Sequence, residues 1–384
     1  MSDAFITHTA SMLPGPPVGN DAMEAILGVL EEGRGKLRQR VLNNNGIRAR
    51  HYALDPVTGE PTHTLAQLQA EAIRTLLDRA GLDVEAIDLL VCGCSIPDVI
   101  APGIASLVHG ELGGRPIEVA STAGICGASI AALKYGSMAV RTGESRCAVV
   151  GAAERLSVQL RARHFGAELR ARRSDEDDPH VALGAEFLRW MLSDGAGAVL
   201  IRDRPSETGL SFKVEWVQSV SFAHDLPTCM YMGGERLEDG SLRSWRDCDD
   251  LGDAVRQGYF NLQQDVRLLA ENIIPVSTGR TIARIREDRQ LTPEMVDWVL
   301  PHFSSNLFRD RAFEAFAEAG FEVPDERVRS NLVERGNMGS ASIFVMLDDL
   351  VASGELEPGH GVLLVVPESG RFNTGYALLR AVGS

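Results

Sequence analysis

Cys126 lies in the small-residue run EVASTAGICGASIAALKYG (118–136) and is the residue best suited to covalent chemistry. The run reads as a strand that ends, a tight turn, and a long helix that opens at the cysteine. Unpaired amides and the helix dipole at such an end favour an anion. A thiol there is expected to have a lowered pKa and to be a strong nucleophile, with its own N–H aimed at an adjacent oxyanion. Gly127, Ala128 and Ser129 would leave room for a bulky substrate. The same residues also fit a plainer reading, with Cys126 as a small buried hydrophobe at a strand–helix joint.

A nucleophilic cysteine needs partners that move protons or stabilise an enolate. His302 follows the apolar strand WVLP and precedes a helix, which places it at the rim where open α/β sheets build their sites. Asn337 lies in LVERGNMGSASIFVML, a glycine-flanked loop before a helix, where a helix cap is the simpler explanation. Gly370 falls in a turn between two closing strands, within PESGRFNTGYALL.

The elements that must hold these residues alternate between strand and helix. Strands are expected at 5–11, 87–95, 117–122, 147–154, 195–202, 212–221, 298–302, 361–367 and 375–382. Helices are expected at 21–32, 65–81, 126–143, throughout 253–287, at 306–320 and at 340–354. This order implies an α/β fold with largely parallel central strands. The pattern restarts after Pro205, which suggests a duplicated unit: 1–204 carrying the cysteine and 205–384 carrying the histidine and asparagine. Two charge- or glycine-rich stretches, 160–180 and 225–252, read as surface excursions or lids.

Taken together, STAGICGASIAALKYG, DGAGAVLI (194–201), LPHFSSNLF (300–308), ERGNMGSASI (334–343) and ESGRFNTGYALL (368–379) resemble, in order, the signature blocks of β-ketoacyl-acyl carrier protein synthase III. The resemblance spans residues 4 to 382. It implies the thiolase fold, with βαβαβαββ halves in a five-layered αβαβα dimer. It also implies that Cys126 takes an acyl group from a thioester. His302 and Asn337 would hold the carbonyl of the second thioester as it becomes an enolate, and the N–H groups of Cys126 and Gly370 would form the oxyanion hole of the acyl-enzyme. In the fatty-acid synthase enzymes an arginine before Thr-Gly-Ile and a tryptophan four residues earlier clamp the coenzyme A adenine. The stretch from Arg40 to Ile47 differs at both positions, and HFSSN carries one residue more than the usual HQAN. Residues 6–28 and 43–64 are similar to the condensing enzymes of dialkylresorcinol, stilbene and aryl-polyene pathways. A Claisen-type condensation of two acyl thioesters, at least one carrier-bound, is therefore expected. A housekeeping initiation synthase, or transfer from Cys126 to a hydroxyl or amine, is the alternative.

The formal net charge of −15 argues against general nucleic-acid binding. Six cysteines in 384 residues are too sparse for a disulfide scaffold, and no zinc spacing accompanies Cys92 and Cys94. No metal or cofactor is expected, with acyl thioesters serving as substrates. No signal peptide or membrane-spanning run is evident, so a cytoplasmic protein is expected, and the resemblance implies a homodimer. An acidic enzyme that docks an acidic acyl carrier protein needs a local basic island. Arg34, Lys36, Arg38, Arg40, Arg48 and Arg50 form one candidate and Arg309 with Arg311 another, although solvated helix faces fit the same pattern.

Overall fold

The computed structural model describes residues 2–29, 35–164 and 187–383. Its main strands, in chain order, are β1 (Phe5–Met12), β2 (Leu89–Cys94), β3 (Glu118–Ala123), β4 (Cys147–Glu154), β5 (Gly195–Arg202), β6 (Leu210–Ser221), β7 (Trp298–Pro301), β8 (Gly361–Glu368) and β9 (Asn373–Gly383). The main helices are α1 (Gly35–Asn45), α2 (Leu65–Ala80), α3 (Ile104–Leu112), α4 (Ala128–Thr142), α5 (Val266–Ile274), α6 (Thr281–Arg289), α7 (Arg309–Glu318) and α8 (Ser342–Ser353).

The strands form one ladder in the order β7-β8-β9-β6-β1-β5-β4-β2-β3. Read outward from the centre, β1-β5-β4-β2 and β6-β9-β8-β7 repeat the same arrangement. In each, two antiparallel pairings are followed by a parallel one. The halves meet where β1 pairs β6 through only Phe5–Lys213 and Ile6–Phe212. In the second half, a single parallel bridge from Val299 to Val328 stands where β3 stands in the first.

That short junction lets the two parts face each other across α4 and α8. Helix α4 packs against β2 and β4 on one side and β6 and β9 on the other, and α8 packs against β1, β5 and β7. Strand alternation divides the core accordingly. In β8, Val362, Leu364 and Val366 face the central helices, while Leu363 and Val365 face the outer layer with Phe316, Phe321 and Tyr376. On the far side, Leu65, Leu68, Ile73 and Leu76 of α2 cover β1, β4 and β5. The result is the expected five-layered αβαβα thiolase fold. Asp348 of α8 clasps three layers by accepting bonds from Thr9 and Ser11 of β1 and from Arg79 of α2.

Local chemistry sets the helix ends. Thr64 and Gln67 form a capping box at the start of α2, and Gly81 ends it in the left-handed region at φ +62°. Gly143 ends α4 in the same way. Three expectations fail. Residues 253–287 are not one helix but a short turn at Leu251–Arg256, a strand pair at Gln263–Gln264, then α5, a π-helical turn at Pro275–Arg280, and α6. Pro275 supplies no N–H, so the register slips, and Ser277 and Thr278 bond back to the carbonyls of Ile273 and Ile274. The helix expected at 21–32 is the single turn Met23–Leu27, stopped by Gly28 at φ +80°. The central strands are not largely parallel either: β1, β5, β6 and β9 pair only antiparallel, and among these strands parallel pairing is confined to β2 with β3, β2 with β4 and β7 with β8. The 160–180 excursion lies largely outside the described residues. The 225–252 excursion carries the hairpin Gly234–Arg236 and Leu242–Ser244.

Candidate active site

Cys126 sits in the turn between β3 and α4, with Gly127 as the helix cap. It is 7% exposed, and Ser129 Oγ donates to its carbonyl at 3.1 Å. The structure corrects the expected thiol chemistry. Burial first, then the carboxylates of Glu154 and Glu368, push the Cys126 pKa well up, against a smaller opposing pull from its own backbone amide. The helix end alone does not govern this thiol, because two buried acids share its surroundings. Cys126 in its resting form is a protonated thiol.

His302 extends the β7 register, its N–H donating to Val365 O at 2.8 Å. Strand β7 ends the ladder apart from the Val328 bridge, so His302 lies at the sheet's flank and not on a central strand. The side chain is 4% exposed, and Nε2 is buried without a partner. Burial lowers its pKa to about 4, so the ring is neutral at ordinary pH. A neutral ring with an unpaired buried nitrogen is suited to hydrogen bonding a substrate oxygen.

Asn337 is held by its backbone, its N–H donating to Met191 O at 3.0 Å and its carbonyl accepting from Ser193 at 2.8 Å. Its Oδ1 accepts from Gly339 N–H at 2.9 Å, which fixes the amide orientation. Nδ2 has only a weak contact to Met191 Sδ at 3.9 Å and keeps its donors for a ligand. Through Oδ1 the Asn337 side chain caps the turn that follows it.

Two clefts meet at Cys126. One, of about 430 Å³, is bounded by His302, Phe303, Leu269, Ile273, Ile274, Thr278, Phe308 and Ala312. The other, of about 400 Å³, is bounded by Asn337, Ser95, Leu156, Met191, Leu192, Met230 and Leu262. Ser304 and Ser369 border both. His302 thus borders one cleft and Asn337 the other, and Cys126 borders both. The π turn places Ser277 and Thr278 in the wall of the first cleft.

Gly370 stands beside Ile125, and its carbonyl accepts from Cys229 N–H and Met230 N–H. Its own N–H donates to the Glu368 carboxylate, which also accepts from Arg371 N–H at 3.3 Å. In this arrangement the expected Gly370 donor is engaged by Glu368.

The fold also brings two carboxylates, Glu154 and Glu368, near the cysteine. Glu154 is wholly buried at the end of β4. Neither has a motif that marks it, because their proximity to Cys126 arises only from the folded sheet.

The basic candidates separate. Arg34 lies outside the described residues, and the Lys36 side chain is likewise not described. Arg38 pairs with Glu24 at 3.1 Å and stacks over Trp190, so it is a packing residue. Arg50 is fully buried, donating to Asn20 and to the Trp190 carbonyl. Arg309 pairs with Asp325 at 3.1 Å and lies over Phe313. Arg48 pairs with Glu334 at 2.8 Å. Arg40 and Arg311 are exposed, and α1 packs on the Asn306–Phe308 turn that leads into α7.

Residues 287–380 match the C-terminal domain of 3-oxoacyl-[acyl-carrier-protein] synthase III, and residues 58–181 match the N-terminal domain of thiolase. A β-ketoacyl-[acyl-carrier-protein] synthase III of Xanthomonas euvesicatoria is 28% identical over 383 residues, covering 98% of this chain and 97% of its own. Among solved structures, the tetronic acid condensing enzyme AbyA1 has a TM-score of 0.74 at 21% identity, covering 98% of this chain and 99% of its own. Acetamide-bound OleA of Xanthomonas campestris has a TM-score of 0.72 at 19% identity, covering 98% of each chain. With one domain match in each half and likeness along its whole length, the chain is similar to the β-ketoacyl-acyl carrier protein synthase III and thiolase condensing enzymes.

Proposed function

We propose that the protein joins two acyl thioesters through an acyl-Cys126 intermediate. The Cys126 sulfur attacks the first thioester carbonyl and expels its carrier thiol. The second thioester, by loss of an α-proton or of carbon dioxide, becomes an enolate whose oxygen is held by His302 and Asn337. Its carbon then attacks the acyl-Cys126 carbonyl and releases the thiolate. The observation that carries this reading is the meeting of two largely apolar clefts at Cys126, with the histidine on one and the asparagine on the other.

The proposed substrates are medium or long acyl chains on an acyl carrier protein, in a dialkylresorcinol or aryl-polyene type of pathway. The apolar walls of both clefts support this, as does the segment from Arg40 to Ile47. Asn45 is buried there on the Trp190 carbonyl, and Gly46 is pressed against Asn306, so this stretch offers no clamp for an adenine. Arg40 and Arg311 are the proposed carrier-docking cations. No further cofactor is invoked, and a division into functional halves at residues 1–204 and 205–384 is part of the same proposal.

We assign a homodimer to the β3 edge. That strand has no outer neighbour among the described residues, and Val99, Ile100, Tyr135 and Met138 expose apolar surface on adjoining elements. An unpaired edge bordered by apolar side chains favours pairing with another strand. Incubation with acyl-loaded carrier protein, followed by intact-mass and product analysis, tests the reaction. An adduct on Cys126 followed by a carbon–carbon product supports it. An adduct followed only by an ester or amide would move the assignment to acyl transfer.

A further inference from the structure

Glu154 closes β4 and is the one buried carboxylate here that bonds to both Ser95 and the turn carrying Asn337. Its Oε1 accepts four donors. They are the N–H and hydroxyl of Ser95 at 2.9 and 2.6 Å, and the N–H and hydroxyl of Ser340 at 3.0 and 2.5 Å. Ser95 directly follows β2, and Ser340 lies three residues after Asn337. Gly339 is packed so closely that an added Cβ would lie 3.0 Å from the same oxygen, and its φ of +49° already favours glycine. Ser95 and Gly339 both border the cleft that joins Asn337 to Cys126.

The other oxygen of Glu154, Oε2, is buried without a hydrogen-bond partner. One oxygen thus holds two chain segments together while the other is left bare, where a proton can be accommodated. The titratable groups whose charges couple with it are Cys94 of β2 and Cys126, which also feel Asp98 and Glu368 respectively. All of them are acidic.

We infer that Glu154 is a positioning residue, whose ionised carboxylate holds the Asn337 turn against the end of β2 so that the amide is aligned for condensation. The inference rests on the condensing function proposed above. Burial raises the Glu154 pKa to about 7, while the bonds from Ser340 and Ser95 oppose that rise. Protonation weakens the acceptor that gathers four donors, so the strap is strongest above that value. Condensation should therefore increase as the pH rises through about 7. Acylation of Cys126 needs no Asn337, and the Glu154 charge holds the thiol pKa up, so acylation should not rise through that limb.

The test uses octanoyl-loaded acyl carrier protein with the full chain. Acyl-Cys126 is formed first, and its single-turnover condensation is followed from about pH 5 to about pH 9. Wild type should show a limb near pH 7, where Glu154 titrates. Glu154→Gln should condense without that limb and more slowly, by up to about 10²-fold, as for a small misplacement of a reacting group. Its acyl-adduct yield should not fall, because the lost charge had only held the Cys126 pKa up. Ser340→Ala removes a bond that lowers the Glu154 pKa, so its limb should move to higher pH. Superimposable profiles for wild type and Glu154→Gln, or a Ser340→Ala limb that stays in place, would overturn the inference.

Two substrate-free readouts keep it separate from the functional reading. A protonated-carboxyl infrared band lost in Glu154→Gln should titrate near neutrality. A crystal structure of that variant should show the 337–341 turn displaced. A band titrating in the ordinary carboxylate range, or an unmoved turn, would refute the inference whether or not the enzyme condenses. Absence of any acyl adduct on the wild type would instead overturn the proposed function.

Discussion

Replacing His302 with alanine should leave Cys126 competent for acylation and abolish most carbon–carbon bond formation. The ring is neutral because burial lowers its pKa to about 4, and its Nε2 has no protein partner. It is therefore available to bond the enolate oxygen, and losing one such donor costs on the order of 10²–10³ in rate, about 2.7–4 kcal/mol. His302→Asn, which retains an amide donor, should recover part of that loss, whereas alanine cannot. The assay is paired: intact mass for the acyl adduct, and product formation from the preformed acyl-enzyme. A neutral ring also has a stability signature. Its folded pKa lies below the unfolded value of about 6.5, so its contribution is present above that value and is lost as pH falls through about 4. The full loss is roughly 3 kcal/mol, and His302→Ala should be correspondingly less sensitive to acid. Product formation within a few-fold of wild type would refute the assigned role. So would loss of the adduct in a folded His302→Ala protein.

Other outcomes follow from the same geometry. Ala312→Phe adds bulk to the wall of the His302 cleft and should shift the preferred acyl group toward shorter chains, read by competition between carrier-bound acyl lengths. Arg40→Glu and Arg311→Glu should raise KM for the carrier-bound substrate with little change in kcat. Arg309→Glu should do so less, because Asp325 already engages that guanidinium. Asp348→Ala removes an acceptor shared by Thr9, Ser11 and Arg79 and should lower stability by about 1–3 kcal/mol in urea unfolding.

The sequence shows the site in fragments because each catalytic candidate carries its own local pattern. Cys126 lies at a small-residue strand–helix joint, His302 at a strand end and Asn337 between glycines. Their convergence depends on β1 pairing β6 and on two helices filling the space between the halves, which no short window records. Glu154 ends the run CAVVGAAE and reads as a strand terminus, since its partners Ser95 and Ser340 lie far along the chain. Arg38 and Arg50 look like surface cations in an acid-free stretch, but the fold brings Glu24 and the Trp190 carbonyl to them. The helix expected across 253–287 fails for a different reason. Helical spacing continues through Pro275, yet the missing N–H forces a wider turn there, and that turn forms part of the cleft wall.

The central claim is that Cys126 carries the acyl group. Its buried thiol, raised by burial, Glu154 and Glu368, should react slowly with iodoacetamide at neutral pH, so alkylation is a poor measure of its role. Intact-mass measurement after incubation with acyl-loaded carrier protein is the direct one. The account requires one acyl group per chain on the peptide containing Cys126, and none on Cys126→Ala. An equal adduct on Cys126→Ala, or no adduct on wild type with any carrier-bound acyl group, would contradict it.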